Sequence, residues 1–251
     1  RNDYGFSPGL QRWLERSLAW MREHDPVPGR LVTMHWSHPW AAPQHWRTPG
    51  LGFSNSNAYT AFMDFEPTLG NGVRGKRDLP LALDSYLNRI YPPAELRRPV
   101  LIGEWGGHWE RNEPWTLRGE LRTGLWLQAV TPYAGNTGFW WWLWLDITDR
   151  WSQYRAVAAF MLGEDRRGIA WTPIRPRIEG GRLLAQGMRS ERAVRLYVWP
   201  RGMDQDHRRA ASGDGEAVID GLAPASRWRM RRHDGATGQV VAEAVLDADA
   251  A

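Results

Sequence analysis

The sequence predicts an α/β fold: four parallel strands with helices over residues 1–168, then a small antiparallel β-sandwich domain over residues 169–251. Three observations predict it. Short apolar runs alternate with segments of helical spacing along the first part, and regular alternation implies parallel strands with right-handed crossovers. From Ile169 onward helical periodicity stops. Strand-like runs at 182–186, 193–199, 216–219, 227–232 and 239–245 follow, with Gly, Asp and Pro turns between them. Hydrophobic residues make up 42% of the 251, enough for a sizeable core.

Each element has a local reason. Ser7-Pro8 is a helix start, with Ser as N-cap and Pro at the first helical position, and Leu10, Trp13, Leu14, Leu18 and Met21 follow at helical spacing until Asp25-Pro26 stops the helix. Residues 31–36 (Leu-Val-Thr-Met-His-Trp) read as the first strand, and the loop after it is aromatic, with His35, Trp36, His38, Trp40, His45 and Trp46. Residues 61–65 read as a second strand, 70–77 as a polar loop and 78–90 as a helix ended by Pro92-Pro93. Val100-Leu101-Ile102 is a third strand. Its continuous apolar run suits a strand covered on both faces, and Pro99 suits the first strand position, where no ladder donor is needed. A helix over 114–130 carries Leu117, Leu121 and Leu125 on one face. Residues 138–146, a Trp-rich run, read as the fourth strand, and 151–162 as the closing helix. The Ala/Asp tail after Val245 is expected to fray.

Composition narrows the chemistry. Tryptophan is the outlier, at 17 residues. An indole is costly to expose, so this many implies stacking surfaces as well as core, and the flat C–H faces of sugars make carbohydrate the first ligand to consider. The isoelectric point of about 9.7 overstates the field, because Lys+Arg number 32 against 28 Asp+Glu and the formal net charge is only +4. No cysteine is present, which excludes disulfides and thiol chemistry and leaves the redox compartment open. No apolar run reaches membrane-spanning length, and no stretch reads as a signal peptide. Lacking an initiating Met, the chain reads as a piece of something longer.

Three local patterns point elsewhere and are weaker. Gly70-Asn71-Gly72-Val73-Arg74-Gly75 matches G-x-G-x-x-G, but a dinucleotide site needs the helix to open inside the motif, and here the helix starts only near Pro80. His35, His38 and His45 lack an accompanying carboxylate or Cys at zinc spacing, so no metal site is expected and an aromatic cleft lining is the better reading. Arg227, Arg229 and Arg231 alternate with Trp228 and Met230, which describes a solvated strand face; no nucleic-acid partner is expected.

The chemistry-bearing stretch is Arg98-Pro99-Val100-Leu101-Ile102-Gly103-Glu104-Trp105-Gly106-Gly107-His108-Trp109. A carboxylate at the C-terminal end of a parallel strand, with glycines after it, is a usual active-site placement. In the fourth strand, alternation places Trp140, Trp142 and Trp144 on one face, and Trp142 or Trp144, near its C-terminal end, is expected to form a sugar platform.

These residues resemble the second half of a clan A, cellulase-like (family 5-type) glycoside hydrolase. Residues 98–106 are similar to the P-(V/I)-x-x-G-E-(F/W)-G context that ends the seventh strand of that barrel with the nucleophile, and 138–146 to its Gly-then-Trp-rich eighth strand. The helix near 7–23 with the run at 31–37 resembles the fourth helix and fifth strand. Leu184-Ala185-Gln186-Gly187-Met188, the run 194–199 and the Asp234-Gly235-Ala236-Thr237-Gly238 turn resemble the C-terminal β-domain of bacterial members. The resemblance implies the second half of a (β/α)8 TIM barrel and a retaining O-glycosyl hydrolase of poly- or oligosaccharides. It implies Glu104 as nucleophile, His35, Trp36, Trp105, His108, Trp109, Trp142 and Trp144 around the substrate, no cofactor, and a bacterial, secreted or periplasmic setting.

Two departures go with it. The family's acid/base glutamate, in an Asn-Glu motif ending strand four, would lie upstream of Arg1, together with the missing N-terminal half of the barrel; Asn2-Asp3 is a poor substitute. The His-x-Tyr that often ends strand six is replaced by Glu66-Pro67-Thr68-Leu69-Gly70. A retaining enzyme sets two carboxyl groups about 5–5.5 Å apart, one as nucleophile and one as acid then base. The fragment alone is therefore expected to be inactive. The competing expectation is a non-catalytic carbohydrate-binding protein on a degenerate barrel.

Overall fold

A computed structural model describes residues 7–36, 43–59, 98–106, 114–135, 138–180, 183–200, 215–220, 222–223 and 226–248. The expected strand at 61–65, the helix at 78–90 and the glycine-rich loop at 70–75 lie outside the described residues.

Helix α1 (Pro8–His24) begins as its caps dictate: the Ser7 hydroxyl accepts from Leu10 N, and Asp25 ends it with its own N–H on Met21 O. It buries Leu14 and Leu18 and leaves Trp13 and Trp20 exposed. A short strand β1 (His35–Trp36), a single turn α2 (Pro43–Trp46), and strands β2 (Ser54–Tyr59) and β3 (Val100–Gly106) follow. Next come helix α3 (Pro114–Val130), strand β4 (Gly138–Phe139) and helices α4 (Trp142–Ile147) and α5 (Ser152–Met161). The four strands form one sheet in the order β1-β2-β3-β4, every pair parallel, so the expected parallel, sequential α/β layer is present. Among the described residues no closed barrel is formed.

One strand lies where none is expected, and two expected strands are shorter, the first of them being strand only at His35–Trp36 of the expected 31–36. The second strand is Ser54–Tyr59, a Ser/Asn run that lacks the usual β-branched residues. Its small residues Ser54, Ser56 and Ala58 are buried on one face, and Asn55, Asn57 and Tyr59 share the other. The Trp-rich run is strand only at Gly138–Phe139; from Trp142 it is helix. A short apolar run satisfies either period, and here the 3.6-residue one wins. Leu145 is buried and Trp141 and Trp144 half-buried, whereas Trp142, Leu143 and Ile147 face solvent. Leu145 N bonds to Trp141 O, and the Thr148 hydroxyl to Trp144 O.

The main core forms where α3 lies on β3. Ile102, Leu121, Leu125 and Leu127 are fully buried. Each such side chain contributes roughly 1.5–3 kcal/mol relative to exposure. Helix α3 is buried nearly all round, because β7 (Leu183–Arg189) and β8 (Val194–Pro200) cover its other side.

Past residue 169 the chain is antiparallel in three pieces. The first is β5 (Thr172–Ile174) with β7 and β8. The second is β6 (Arg177–Ile178) with β9 (Ala217–Val218). The third is the hairpin of β10 (Arg227–His233) and β11 (Val240–Asp247). In that hairpin Arg231 pairs with Glu243 and Arg227 with Asp247, as suits a solvated strand face. Trp199, Leu184 and Tyr197 join the core around α3, and Trp126 Nε1 donates to Gly235 O (2.9 Å). The antiparallel segment therefore shares one core with the parallel layer.

Candidate active site

The geometry around Glu104 starts from an irregularity in the strand. Ser56 pairs with Ile102, but Asn57 pairs with Glu104, so Gly103 is an extra residue opposite no partner. The bulge resets the side-chain alternation. Val100 and Ile102 face the helix layer, and so does Trp105, while Glu104 emerges on the other face with Asn57 and Tyr59. A glycine is needed here: a Cβ on residue 103 would lie 2.5 Å from Asn55 Oδ1 and 3.3 Å from the His35 ring.

Two donors converge on one carboxylate oxygen. Tyr59 Oη–H donates to Glu104 Oε2 at 2.7 Å and Asn57 Nδ2–H at 3.0 Å. The Asn57 amide oxygen in turn meets His35 Nε2. With the Asn57 N–H committed to the carboxylate, its oxygen is the acceptor, so His35 carries its proton on Nε2. The result is a polarised chain, His35 to Asn57 to Glu104, with Tyr59 as a second clamp. Burial, then the Glu104 carboxylate itself, raises the Tyr59 pKa far above its ordinary value and keeps the phenol a donor.

That shift has a consequence for stability. A tyrosine whose folded pKa is raised contributes stability that is fully present below the ordinary value of 10.0 and is lost as pH rises through the folded value. Urea unfolding at pH 8, 10 and 11 is expected to show stability falling above pH 10, and the Tyr59→Phe variant to fall less steeply. Equal slopes would mean that Tyr59 is not the phenol held by Glu104.

The aromatic surroundings differ from those expected. Trp105 is 1% exposed and tilts against Phe139 at 4.7 Å, so its indole is core and does not line the cleft. Trp144 meets Phe139 edge-on and also packs inward, whereas Trp142 is 63% exposed on the outer side of α4. The helical turn separates these two, where a strand would have aligned them. His35 joins the site. Trp36 pairs with Ser56 through its backbone, and its side chain, His108 and Trp109 lie outside the described residues. His45 is fully buried against Gln11 (2.7 Å), so it ties α2 to α1 and does not line a cleft. Among the described residues no cluster of three His, Cys, Asp or Glu could hold a metal.

Asn57, Tyr59 and Trp140 were missed by sequence reasoning. Trp140 is 39% exposed, its N–H bonds to Trp105 O (2.9 Å), and its ring meets Tyr59 at 6.2 Å in an edge-to-face contact. Among the described residues it is an aromatic that borders the Glu104 clamp. The signal that could have found the other two is the small/polar alternation of Ser54-Asn55-Ser56-Asn57-Ala58-Tyr59.

The arrangement presents an oriented carboxylate whose Oε2 is held by two donors, beside an exposed indole. Such a carboxylate can act as a nucleophile or as a hydrogen-bond acceptor for a bound hydroxyl. Compared with family models, curated proteins and solved structures, the chain matches none. No described helix is long and apolar enough to cross a membrane.

Proposed function

We propose that this chain carries the nucleophile half of a retaining glycoside hydrolase site, with Glu104 as nucleophile and a poly- or oligosaccharide as substrate. The observation that carries the reading is the double clamp of Glu104 Oε2 by Tyr59 and Asn57 at the C-terminal end of a parallel strand, next to Trp140. A nucleophile must present one oxygen to the anomeric carbon in fixed orientation, and two bonds to Oε2 leave Oε1 for that role. The same placement supports the resemblance to the cellulase-like barrel more closely than the sequence did. The strand before that of Glu104 ends in Asn57-Ala58-Tyr59, with tyrosine where His-x-Tyr has its tyrosine and asparagine in place of histidine. The departure assigned to Glu66–Gly70 then carries no weight.

On this reading the parallel sheet is half of an eight-stranded barrel, the 169–251 segment is its β-sandwich companion, and the acid/base carboxylate comes from outside these residues. Among the described residues no second carboxylate bonds into the Glu104 network, which is the one observation favouring a non-catalytic carbohydrate-binding protein. The two readings separate in one experiment. The complete gene product is incubated with a 2-deoxy-2-fluoro glycoside bearing an activated aryl leaving group, then digested and analysed by mass spectrometry. A glycosyl adduct on Glu104 is expected of the hydrolase. Saturable oligosaccharide binding with no adduct anywhere would leave the binding protein.

Trp140 supplies the stacking surface in either case. Trp140→Ala is expected to weaken oligosaccharide binding by about 1–2 kcal/mol, the scale of an aromatic contact with its buried area. That is roughly 5- to 30-fold in KM or Kd. An unchanged constant in a titration would move the platform elsewhere.

A further inference from the structure

Three strands meet at Glu104 through one amide. Asn57 on β2 is 5% exposed; its Nδ2–H donates to Glu104 Oε2 (3.0 Å) and its Oδ1 meets His35 Nε2. His35 reaches it from β1, where its backbone pairs with Asn55. The imidazole lies over the bulge, since a Cβ on Gly103 would come 3.3 Å from His35 Cδ2. Gly103 thus turns Glu104 to this face and also leaves room for the ring. His35 Nε2 is spent on Asn57, so that nitrogen is not offered to a sugar hydroxyl.

An asparagine amide keeps nearly the same outline when its oxygen and nitrogen change places, so its partners fix which end faces Glu104. While Glu104 is ionised, the two partners agree. The carboxylate only accepts, which draws Nδ2–H, and His35 Nε2–H donates to Oδ1. A bond to a charged acceptor is roughly twice as strong as one to a neutral acceptor. That advantage is lost once Glu104 has acted as nucleophile. Oε1 then forms a bond to the anomeric carbon, the leaving oxygen departs with the electron pair of the bond that breaks, and Oε2 becomes the uncharged carbonyl oxygen of an ester. In the return step a water oxygen bonds to the anomeric carbon and its proton passes to the acid/base group. The bond from that carbon to Oε1 breaks, and its electron pair restores the carboxylate. A donor already aimed at Oε2 stabilises this charge as it develops.

We propose that His35 is a positioning residue that keeps the Asn57 N–H on Oε2 while Glu104 is uncharged in the glycosyl-enzyme, and so speeds breakdown of that intermediate more than its formation. The inference rests on Glu104 being the nucleophile. His35 keeps its proton throughout, because imidazolium and the Nε2–H form of neutral imidazole both donate at this nitrogen.

The test labels the complete gene product with the 2-deoxy-2-fluoro aryl glycoside, removes the excess reagent and follows the return of activity. His35 is exposed, so its replacement leaves the core intact. His35→Leu is expected to slow reactivation about 10- to 100-fold, the scale of a misplaced group, and labelling by less than about threefold. The glycoside concentration that half-saturates labelling should barely move. His35→Gln, whose amide N–H can still reach Asn57 Oδ1, should recover most of the loss, and His35→Leu should add nothing in an Asn57→Ala background. The proposal is overturned if a natively folded His35→Leu slows both steps equally or neither, if His35→Gln is no better, or if the losses at 35 and 57 add in full. A limb missing from the pH profile of His35→Gln would make His35 an acid or base and also overturn it. A second readout needs no turnover: solvent exchange of the Asn57 side-chain amide, followed by 15N NMR. His35→Leu is expected to accelerate it about fivefold more in a Glu104→Gln background, where position 104 has no charge, than in the parent, the scale of one hydrogen bond. Equal acceleration in the two backgrounds overturns the proposal. If Glu104 takes no label, the hydrolase reading fails and the kinetic half of the proposal with it, while the exchange rates still decide whether His35 holds the amide.

Discussion

Glu104→Gln in the complete gene product is expected to lower kcat/KM by about 10⁴–10⁶-fold, the scale on which hydrolases lose rate when the nucleophile is removed. The fold should survive, because Gln is isosteric and its side-chain oxygen can still accept from Tyr59 and Asn57 at the positions now occupied by Oε2. Lost turnover with native circular dichroism is therefore the expected pair of observations. An enzyme that turns over near-normally with Gln at this position would remove Glu104 from the chemistry. In the chain by itself, hydrolysis of natural linkages is expected to be absent, since general acid assistance contributes about 10²–10⁴-fold and the described residues near Glu104 offer no evident donor to a leaving group. An activated aryl glycoside needs less protonation and is the substrate on which residual nucleophilic action would show.

The second large effect concerns what holds Glu104 in place. Trp105 fills a slot in helix α3 that exists because residue 124 is glycine: a Cβ there would lie 2.1 Å from Trp105 Cζ3. Gly in a helix interior costs about 1 kcal/mol relative to Ala, so the sequence accepts a helix penalty to admit an indole. Gly124→Ala is expected to destabilise by about 1–3 kcal/mol despite its better propensity, because overpacking exceeds the propensity gain. Trp105→Ala is expected to cost about 3–5 kcal/mol through the cavity it leaves. The double variant should lose less than the sum, since without the indole the added methyl group has room. Urea midpoints of the four proteins measure the cycle, and strict additivity would show that residues 105 and 124 do not pack together. Because Trp105 adjoins Glu104 in the chain, Gly124→Ala is also expected to disturb the Tyr59–Glu104 bond and to lower activity more than its stability loss explains.

Much of the frame was legible because it rests on local rules. Ser7-Pro8 and Asp25 bound α1, Pro114 opens α3, and the run Val100-Leu101-Ile102 forms a strand in a parallel sheet with Glu104 near its end. The antiparallel runs after residue 169 fall within a few residues of their expected positions, since Gly, Asp and Pro turns mark them. Where local preference was ambiguous, packing decided. The run Trp142-Leu143-Trp144-Leu145 fits a strand or a helix by composition, and it became helical because that period buries Leu145 and half-buries Trp144 against Phe139. Ser54–Tyr59 carries poor strand formers, yet between β1 and β3 its small residues fit under the helix layer.

The site itself depended on one extra residue. Strict alternation puts Glu104 on the same face as Ile102. Only the bulge at Gly103, which shows when β2 and β3 are paired, turns Trp105 into the core and Glu104 towards Asn57 and Tyr59. By itself the sequence determined the kind of strand that carries Glu104 and the order of the elements around it, because these follow from periodicity and caps. The tertiary structure alone decided which residues hold that carboxylate, since Asn57 and Tyr59 lie 47 and 45 positions away and meet it only through the register of two parallel strands.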